Sequence, residues 1–264
     1  MVVRSPILEA ALFGRTTAFF LMQFLYVLSM LPGSRSTTHE VFICGCCGYS
    51  NQETELSVNF GYSDIGPFGS EIKTPNFDAL AKDGKILTNY HTGPTCSPGR
   101  LSSLTGVDYH IGGMGTMYEL MAPNQVGKPG YQTYINNNVT TIAELLRNAG
   151  YHTFLTGKWH LSGSTPGGQP GTLPYDRGFE HTLSLLQDGA NHFNGLEYVP
   201  GWAVTFTEDG KVVPRPGNGT VFDADLYTDK LISYLNHTHS DGKPFFAYLA
   251  TQVAHTPFQA HVMI

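Results

Sequence analysis

An α/β fold, with a mostly parallel sheet at its centre and polar side chains gathered where strands end, is what the order of segments in this sequence predicts. Two observations carry that expectation. Stretches with helical spacing alternate with short apolar runs, and the runs give way to lysine, histidine or a cysteine-bearing loop. The 264 residues are 41% hydrophobic and only 14% charged, with 30 glycines and 16 prolines, which suits a packed centre wrapped in many loops.

The first regular segment, TPNFDALAKDG (74–84), sets Thr74 as a helix cap, Pro75 at the first helical position and Gly84 at a left-handed stop. KILTNYHT (85–92) reads as a strand running into a loop that ends at Cys96, after which Ser97 and Pro98 open a helix. Cys96 therefore sits at a helix amino end, where free N–H groups favour an anion. TTIAELLRNAG (140–150) holds Thr141 and Glu144 at capping-box spacing, an apolar face of Ile142, Leu145 and Leu146, and Gly150 as terminator. YHTFLT (151–156) is a β-branched and aromatic strand that hands Lys158 and His160 to the following loop.

From Ser162 to Gly219 the chain is rich in Gly, Pro, Asp and Asn, and long loops are expected there, with Val199 to Phe206 as a strand and hairpin partner. A helix over Asp223 to Asn236 follows from the spacing of Leu226, Lys230, Leu231 and Leu235, and KPFFAYLAT (243–251) is a continuous apolar strand that exits towards His255.

The net charge of −6 argues against a sequence-independent nucleic-acid binder, which needs a basic stripe. An apolar run at 17–33, preceded by Arg4 and Arg15, is short for a membrane span and suits the centre of a secretory signal or anchor. Together with Asn-x-Ser/Thr tripeptides at Asn138, Asn218 and Asn236 it points to a secreted or lumenal glycoprotein, the cytoplasm being the alternative. Cys44, Cys46 and Cys47 crowd into ICGCCGY, but no paired Cys or His at zinc spacing follows them.

Taken singly, Cys96 reads as a small buried hydrophobe, Arg100 and Lys158 as solvated charges, and His160 and His255 as core histidines. Together they supply an oxidisable nucleophile, two fixed cations and two proton-transfer groups, the set that cleavage of an anionic ester needs. His91, His110, His152 and His192 carry no motif, although His110 stands close enough behind Cys96 to line the same pocket, and Trp159 is read as packing.

CSPGRLSSLTG (96–106) resembles the sulfatase signature, Cys-x-Pro-x-Arg followed by four residues and then Thr-Gly. GYHTFLTGKWHL (150–161) and PFFAYLATQVAHTPFQA (244–260) are similar to that family's second and third landmarks, in order, and GYSDIGPFGSEIKTPNFDALAKDG (61–84) to the segment leading into the signature. The resemblance implies a three-layer α/β/α sandwich like that of alkaline phosphatase, and hydrolysis of sulfate monoesters, aryl or alkyl. It implies that a separate formylglycine-generating enzyme oxidises Cys96 to formylglycine, whose hydrate attacks sulfur and then expels sulfate. Cys96, Pro98 and Arg100 keep the core which that enzyme reads. Gly99 departs from the usual Ser, Ala or Thr and loosens the helical turn by up to about 1 kcal/mol. Arg100 and Lys158 would hold the hydrate, His160 would take a proton during sulfate expulsion, and His255 would contact sulfate and protonate the leaving oxygen, with Lys158 also reaching a sulfate oxygen.

The family also binds calcium through paired aspartates after its first strand, an Asp-Asn pair far downstream and the formylglycine itself, which Cys96 would supply. Val58 and Asn59 stand where the paired aspartates belong, and Asn59 offers one neutral oxygen. VFICGCCGYSNQETEL (41–56) replaces the expected core strand, and Ile264 follows soon after the third landmark. The expectation is therefore a non-family segment over 1–57 and the amino-terminal part of a sulfatase catalytic domain over 58–264, truncated and either active or impaired by its missing aspartates. A phosphoesterase of the same superfamily is disfavoured, since that chemistry uses Ser or Thr and two metals.

Overall fold

A computed structural model of the chain describes residues 2–3, 40–43, 63–86, 88, 93–217, 221–253 and 255–260. The apolar run at 17–33, the cysteines at 44, 46 and 47, Val58, Asn59 and Asn218 lie outside them; no described helix is long and apolar enough to cross a membrane.

The strands are β1 (Val2–Val3), β2 (Glu40–Ile43), β3 (Lys85–Ile86), β4 (His152–Lys158), β5 (His181–Leu185), β6 (Phe206–Glu208), β7 (Lys211–Val213) and β8 (Phe245–Ala250). The helices are α1 (Pro75–Asp83), α2 (Cys96–Thr105), α3 (Ile142–Asn148) and α4 (Asp223–Thr238). Six strands form one sheet in the order β2-β8-β4-β5-β6-β7, parallel from β2 to β5 and antiparallel beyond, while β1 and β3 make a separate antiparallel pair. In the middle, β4 runs beside β8 from His152↔Phe245 to Gly157↔Ala250 and beside β5 from Phe154↔His181 to Lys158↔Leu185. The carboxyl ends of β8, β4 and β5 therefore lie side by side.

Both faces of the middle of this sheet are covered, which is why β8, FFAYLA, reads as an unbroken apolar run. On β4, Phe154 points into a cluster with Leu231, Tyr234 and Leu235 of α4, and the next residue, Leu155, points the other way, into the cluster of Leu101 and Leu104 of α2 and Ala143 of α3. The three-layer α/β/α sandwich is thus built on alternation along one strand. Trp159 packs as expected, fully buried, edge-on to Phe179, with its indole N–H donating to the Thr172 carbonyl at 2.8 Å.

Local chemistry accounts for most boundaries. Pro75 opens α1, and Thr141 caps α3 through a reciprocal box: Glu144 N–H donates to Thr141 Oγ1 at 3.1 Å and Thr141 N–H to Glu144 Oε2 at 2.7 Å. Three expectations need correction. Gly84 ends α1 in an extended conformation, φ −115°, because the chain turns straight into β3. The strand expected over 85–92 does begin at Lys85–Ile86 and needs no correction there, and 87 and 89–92 lie outside the described residues. The 162–219 stretch contains β5, and its hairpin is β6–β7 instead of one starting at Val199. The turn is Asp209–Gly210, with φ of 46° and 78°, as a tight right-twisted hairpin requires. Finally, Glu40–Ile43 pairs in parallel with β8, although its polar surroundings predict no core strand there.

His152 opens β4 with Nδ1 2.8 Å from Glu180 Oε2 and Nε2 2.7 Å from Asp241 Oδ2. Burial pulls its pKa down, but the two carboxylate hydrogen bonds outweigh that and raise it. A raised folded-state pKa gives stability that is complete below the unfolded value, about 6.5, and is lost as pH climbs through the folded one. The melting temperature of His152→Gln should accordingly fall furthest below that of the parent near pH 6 and approach it by pH 9. A gap of constant size across that range would show the imidazole to be uncharged.

Candidate active site

Four elements deliver the predicted side chains to one place. Cys96 is the first residue of α2, after Thr95 in an extended conformation at the N-cap position, and is 3% exposed. Lys158 ends β4 and is wholly buried; its Nζ lies 3.4 Å from Cys96 Sγ and 3.0 Å from Asp188 Oδ1. Arg100, one turn into α2 and also buried, donates from Nη1 to the Lys158 carbonyl at 2.7 Å, so it holds the end of β4 from behind. Ser97 Oγ does the same for the next loop, donating to the His160 carbonyl at 2.8 Å. The helix that carries the thiol is in this way laced to the strand that carries the lysine.

His160 sits at φ +58°, a strained left-handed conformation for a non-glycine residue, and this turns its ring back into the pocket. Its Nε2 lies 3.2 Å from Glu119 Oε2 and its Nδ1 3.5 Å from Asp188 Oδ1, with Cys96 a further hydrogen-bond partner. Burial and then Lys158 depress its pKa, but Glu119 and the hydrogen bonds prevail and the net direction is upward. Glu119, pushed up by burial and pulled down harder by His160, titrates below the ordinary range. His255 approaches from the β8 exit, with Nδ1 2.7 Å from the Thr256 carbonyl and Nε2 3.4 Å from Asp188 Oδ1.

Asp188 is therefore the point on which the site converges. It follows β5, is 3% exposed, and its Oδ1 faces Lys158, His160 and His255 while Oδ2 accepts the Tyr198 phenol. Burial raises its pKa, yet Lys158 and the two imidazoles hold it far below the usual carboxylate range. The Tyr198 phenol is in turn pushed upward by burial and by Asp188. Sequence reasoning singles out none of Asp188, Glu119 and Tyr198. Asp188 has one readable signal, its place just beyond the short alternating polar and apolar run HTLSL; Glu119 and Tyr198 lie outside the strands and α-helices and have none.

Behind His255, a second buried network fixes its loop. His192 Nδ1 lies 3.0 Å from Asp223 Oδ2, Gln252 donates to the same carboxylate, and Ala190 N–H donates to Gln252 Oε1 at 2.7 Å. His192 Nε2 faces the His255 carbonyl at 3.2 Å. Of the other histidines, His91 lies outside the described residues, and His110, expected near the pocket, is exposed and bonded to Asp108 and Tyr131.

The family profile described as Sulfatase matches residues 57–262. This chain belongs to the sulfatase family. It is 40% identical over 217 residues to an uncharacterized sulfatase of Schizosaccharomyces pombe, covering 78% of this chain and 38% of that protein. It is 38% identical over 208 residues to the arylsulfatase of Klebsiella aerogenes, covering 78% and 43%. Among solved structures, Ps i-CgsB in complex with k-i-k-neocarrahexaose shares the fold at a TM-score of 0.59 and 25% identity, over 84% of this chain and 46% of that one. The chain thus spans less than half the length of these relatives.

The sulfatase family implies a divalent metal, and the donors present can be compared with what one needs. Cys96, His160 and Asp188 place one ligand atom each within 4.8 Å of one another, all buried. A hard cation such as calcium takes six to eight oxygens at roughly 2.4 Å. The described cluster offers one carboxylate beside a thiol and an imidazole, and the Lys158 ammonium already lies 3.0 Å from that carboxylate. Among the described residues this sulfatase pocket does not fit calcium, and Asn59 lies outside them.

Proposed function

We propose that this chain carries the ester-cleaving pocket of a sulfuric ester hydrolase, acting on a small aryl sulfate or a glycan sulfate ester through a formylglycine at position 96. The observation that carries the reading is the thiol of Cys96 at a helix amino end, 3.4 Å from a buried lysine and beside an imidazole. The arylsulfatase relative and the oligosaccharide-bound neighbour support both substrate classes. The formylglycine-generating enzyme is the maturation partner this requires. We place the protein in the secretory route, on the run at 17–33 and on Asn138 and Asn236, both exposed. Calcium, the cation the resemblance suggests, finds no adequate ligand set among the described residues, and no step is assigned to it.

A hydrated aldehyde at position 96 supplies one hydroxyl to attack sulfur and a second to expel sulfate afterwards. The side chains do the remainder. Lys158, fixed by Arg100 through its own carbonyl, offsets negative charge at the residue-96 oxygen and at the ester. Glu119 holds His160 at Nε2, which leaves Nδ1 on the side of Asp188, and the ring, with residue 96 a hydrogen-bond partner, can in its neutral form take a proton from that residue. His255 Nδ1–H donates to the Thr256 carbonyl, so Nε2 faces the pocket, and in the imidazolium form, which Asp188 at 3.4 Å supports, it can give a proton to the departing oxygen.

A second reading, a catalytically impaired sulfatase, is favoured by the donor set just described. One experiment separates the two: peptide mass spectrometry around position 96 in chain co-expressed with the modifying enzyme, together with turnover of a chromogenic aryl sulfate. Aldehyde with turnover that Cys96→Ala abolishes is the expected result. Aldehyde without turnover would mean the impaired form, and thiol alone would remove the hydrolase reading.

A further inference from the structure

The groups that should grip a sulfate ester already hold an anion of the protein's own. Lys158, His160 and His255 all face Asp188 Oδ1, at 3.0, 3.5 and 3.4 Å, and the carboxylate is almost wholly enclosed. A ligand entering the pocket must share these partners with a fixed negative charge. His160 is paired with Glu119 and Lys158 with Asp188, so two of the groups that would meet an entering anion already have a carboxylate partner, while Arg100 is engaged with the Lys158 carbonyl.

We propose that Asp188 is a specificity-determining residue that tunes the pocket to singly charged tetrahedral oxyesters and against doubly charged ones. The inference rests on the sulfatase reading of the pocket and refines its substrate class. A sulfate monoester carries one negative charge, whereas a phosphate monoester and free sulfate carry two near neutral pH. Coulomb repulsion from a fixed carboxylate scales with ligand charge, so a second unit charge on the ligand doubles it. The difference therefore falls on the dianion. The same repulsion acts on the product: cleavage turns a monoanionic ester into dianionic sulfate beside Asp188, which favours release.

The test compares two ligands with one tetrahedral head and different charge, methyl sulfate and inorganic sulfate. Their binding to the full chain and to Asp188→Asn and Asp188→Ser is followed in chelator-treated buffer through the imidazole NMR signals of His160 and His255, with thermal unfolding to confirm that each variant is folded. Both substitutions should raise affinity for inorganic sulfate at least about tenfold more than for methyl sulfate, the ratio being the readout. An equal gain for both ligands, or a loss of both, overturns the proposal and makes Asp188 a purely structural brace. If neither ligand moves those signals in any form of the chain, the sulfatase reading of the pocket falls and the proposal falls with it.

Discussion

Lys158→Met should destabilise the fold by about 3–5 kcal/mol despite the close match in side-chain volume. Lys158 is fully buried, and its ammonium is the nearest cationic partner of a carboxylate that is itself 3% exposed. Methionine restores the packing but leaves Asp188 with two imidazoles at 3.4 and 3.5 Å, so the cost falls towards the lower end of that range. Urea unfolding measures it, and a double-mutant cycle with Asp188→Asn isolates the pair, because removing both charges should recover most of the loss. The pH dependence gives an independent check. Burial pushes the Asp188 carboxyl up and Lys158 pulls it down further, and a depressed folded-state pKa gives stability that is present above the unfolded value, about 3.9, and lost as pH falls below it. In Lys158→Met the pull is gone, so the gap between parent and variant should narrow below about pH 4. A gap under about 1 kcal/mol at neutral pH would mean that the ammonium and carboxylate do not share a dry site.

What can be read from the sequence is whatever short-range chemistry controls. The α1 start at Thr74 and Pro75 and the α3 box at Thr141 and Glu144 are signals within one turn of chain, and both stand where they are expected. The sites of Lys158, His160 and His255 at strand exits are legible for a related reason: a strand buried on both faces must be apolar to its end, so the first polar residues mark the sheet edge. The hairpin is displaced from its expected place although its signal is present in the chain. Glu-Asp-Gly-Lys at 208–211 is an Asp-Gly turn between alternating residues, a stronger hairpin mark than anything in Val199–Phe206. Asp188 is harder. Its importance comes from β5 lying next to β4, a pairing between segments about 27 residues apart that no local pattern encodes. Glu119 reaches His160 across 41 positions and is set by loop packing alone.

That dependence on strand neighbours is concentrated at Gly157, and Gly157→Ala is expected to be among the most damaging glycine substitutions at the described positions. Gly157 is paired with Ala250 across β4 and β8, at φ +113°, and a Cβ built there would stand 2.0 Å from the Ala250 carbonyl oxygen and 2.5 Å from its carbon. No flexible side chain can move aside, so the two strands would have to part, breaking sheet hydrogen bonds at the centre of the core. We expect a loss of about 4 kcal/mol or more. Gly150→Ala is the matched control: φ is +91° there, but nothing lies within 4 Å of a built Cβ, so the variant should lose only the conformational penalty of about 1–2 kcal/mol. Chemical unfolding of both decides whether the contact or the dihedral carries the cost, and equal losses would rule out the close approach. The consequence for the site follows from position. Gly157 precedes Lys158, and Ala250 leads through Gln252 to His255, so the distance between these two backbones sets how far apart the lysine and the histidine stand over Asp188. A glycine that bears no functional group is in this way what allows two strand exits to address one anion. Any suppressor that restores folding to Gly157→Ala by letting β4 and β8 separate should still leave Lys158 and His255 unable to meet on a common ligand.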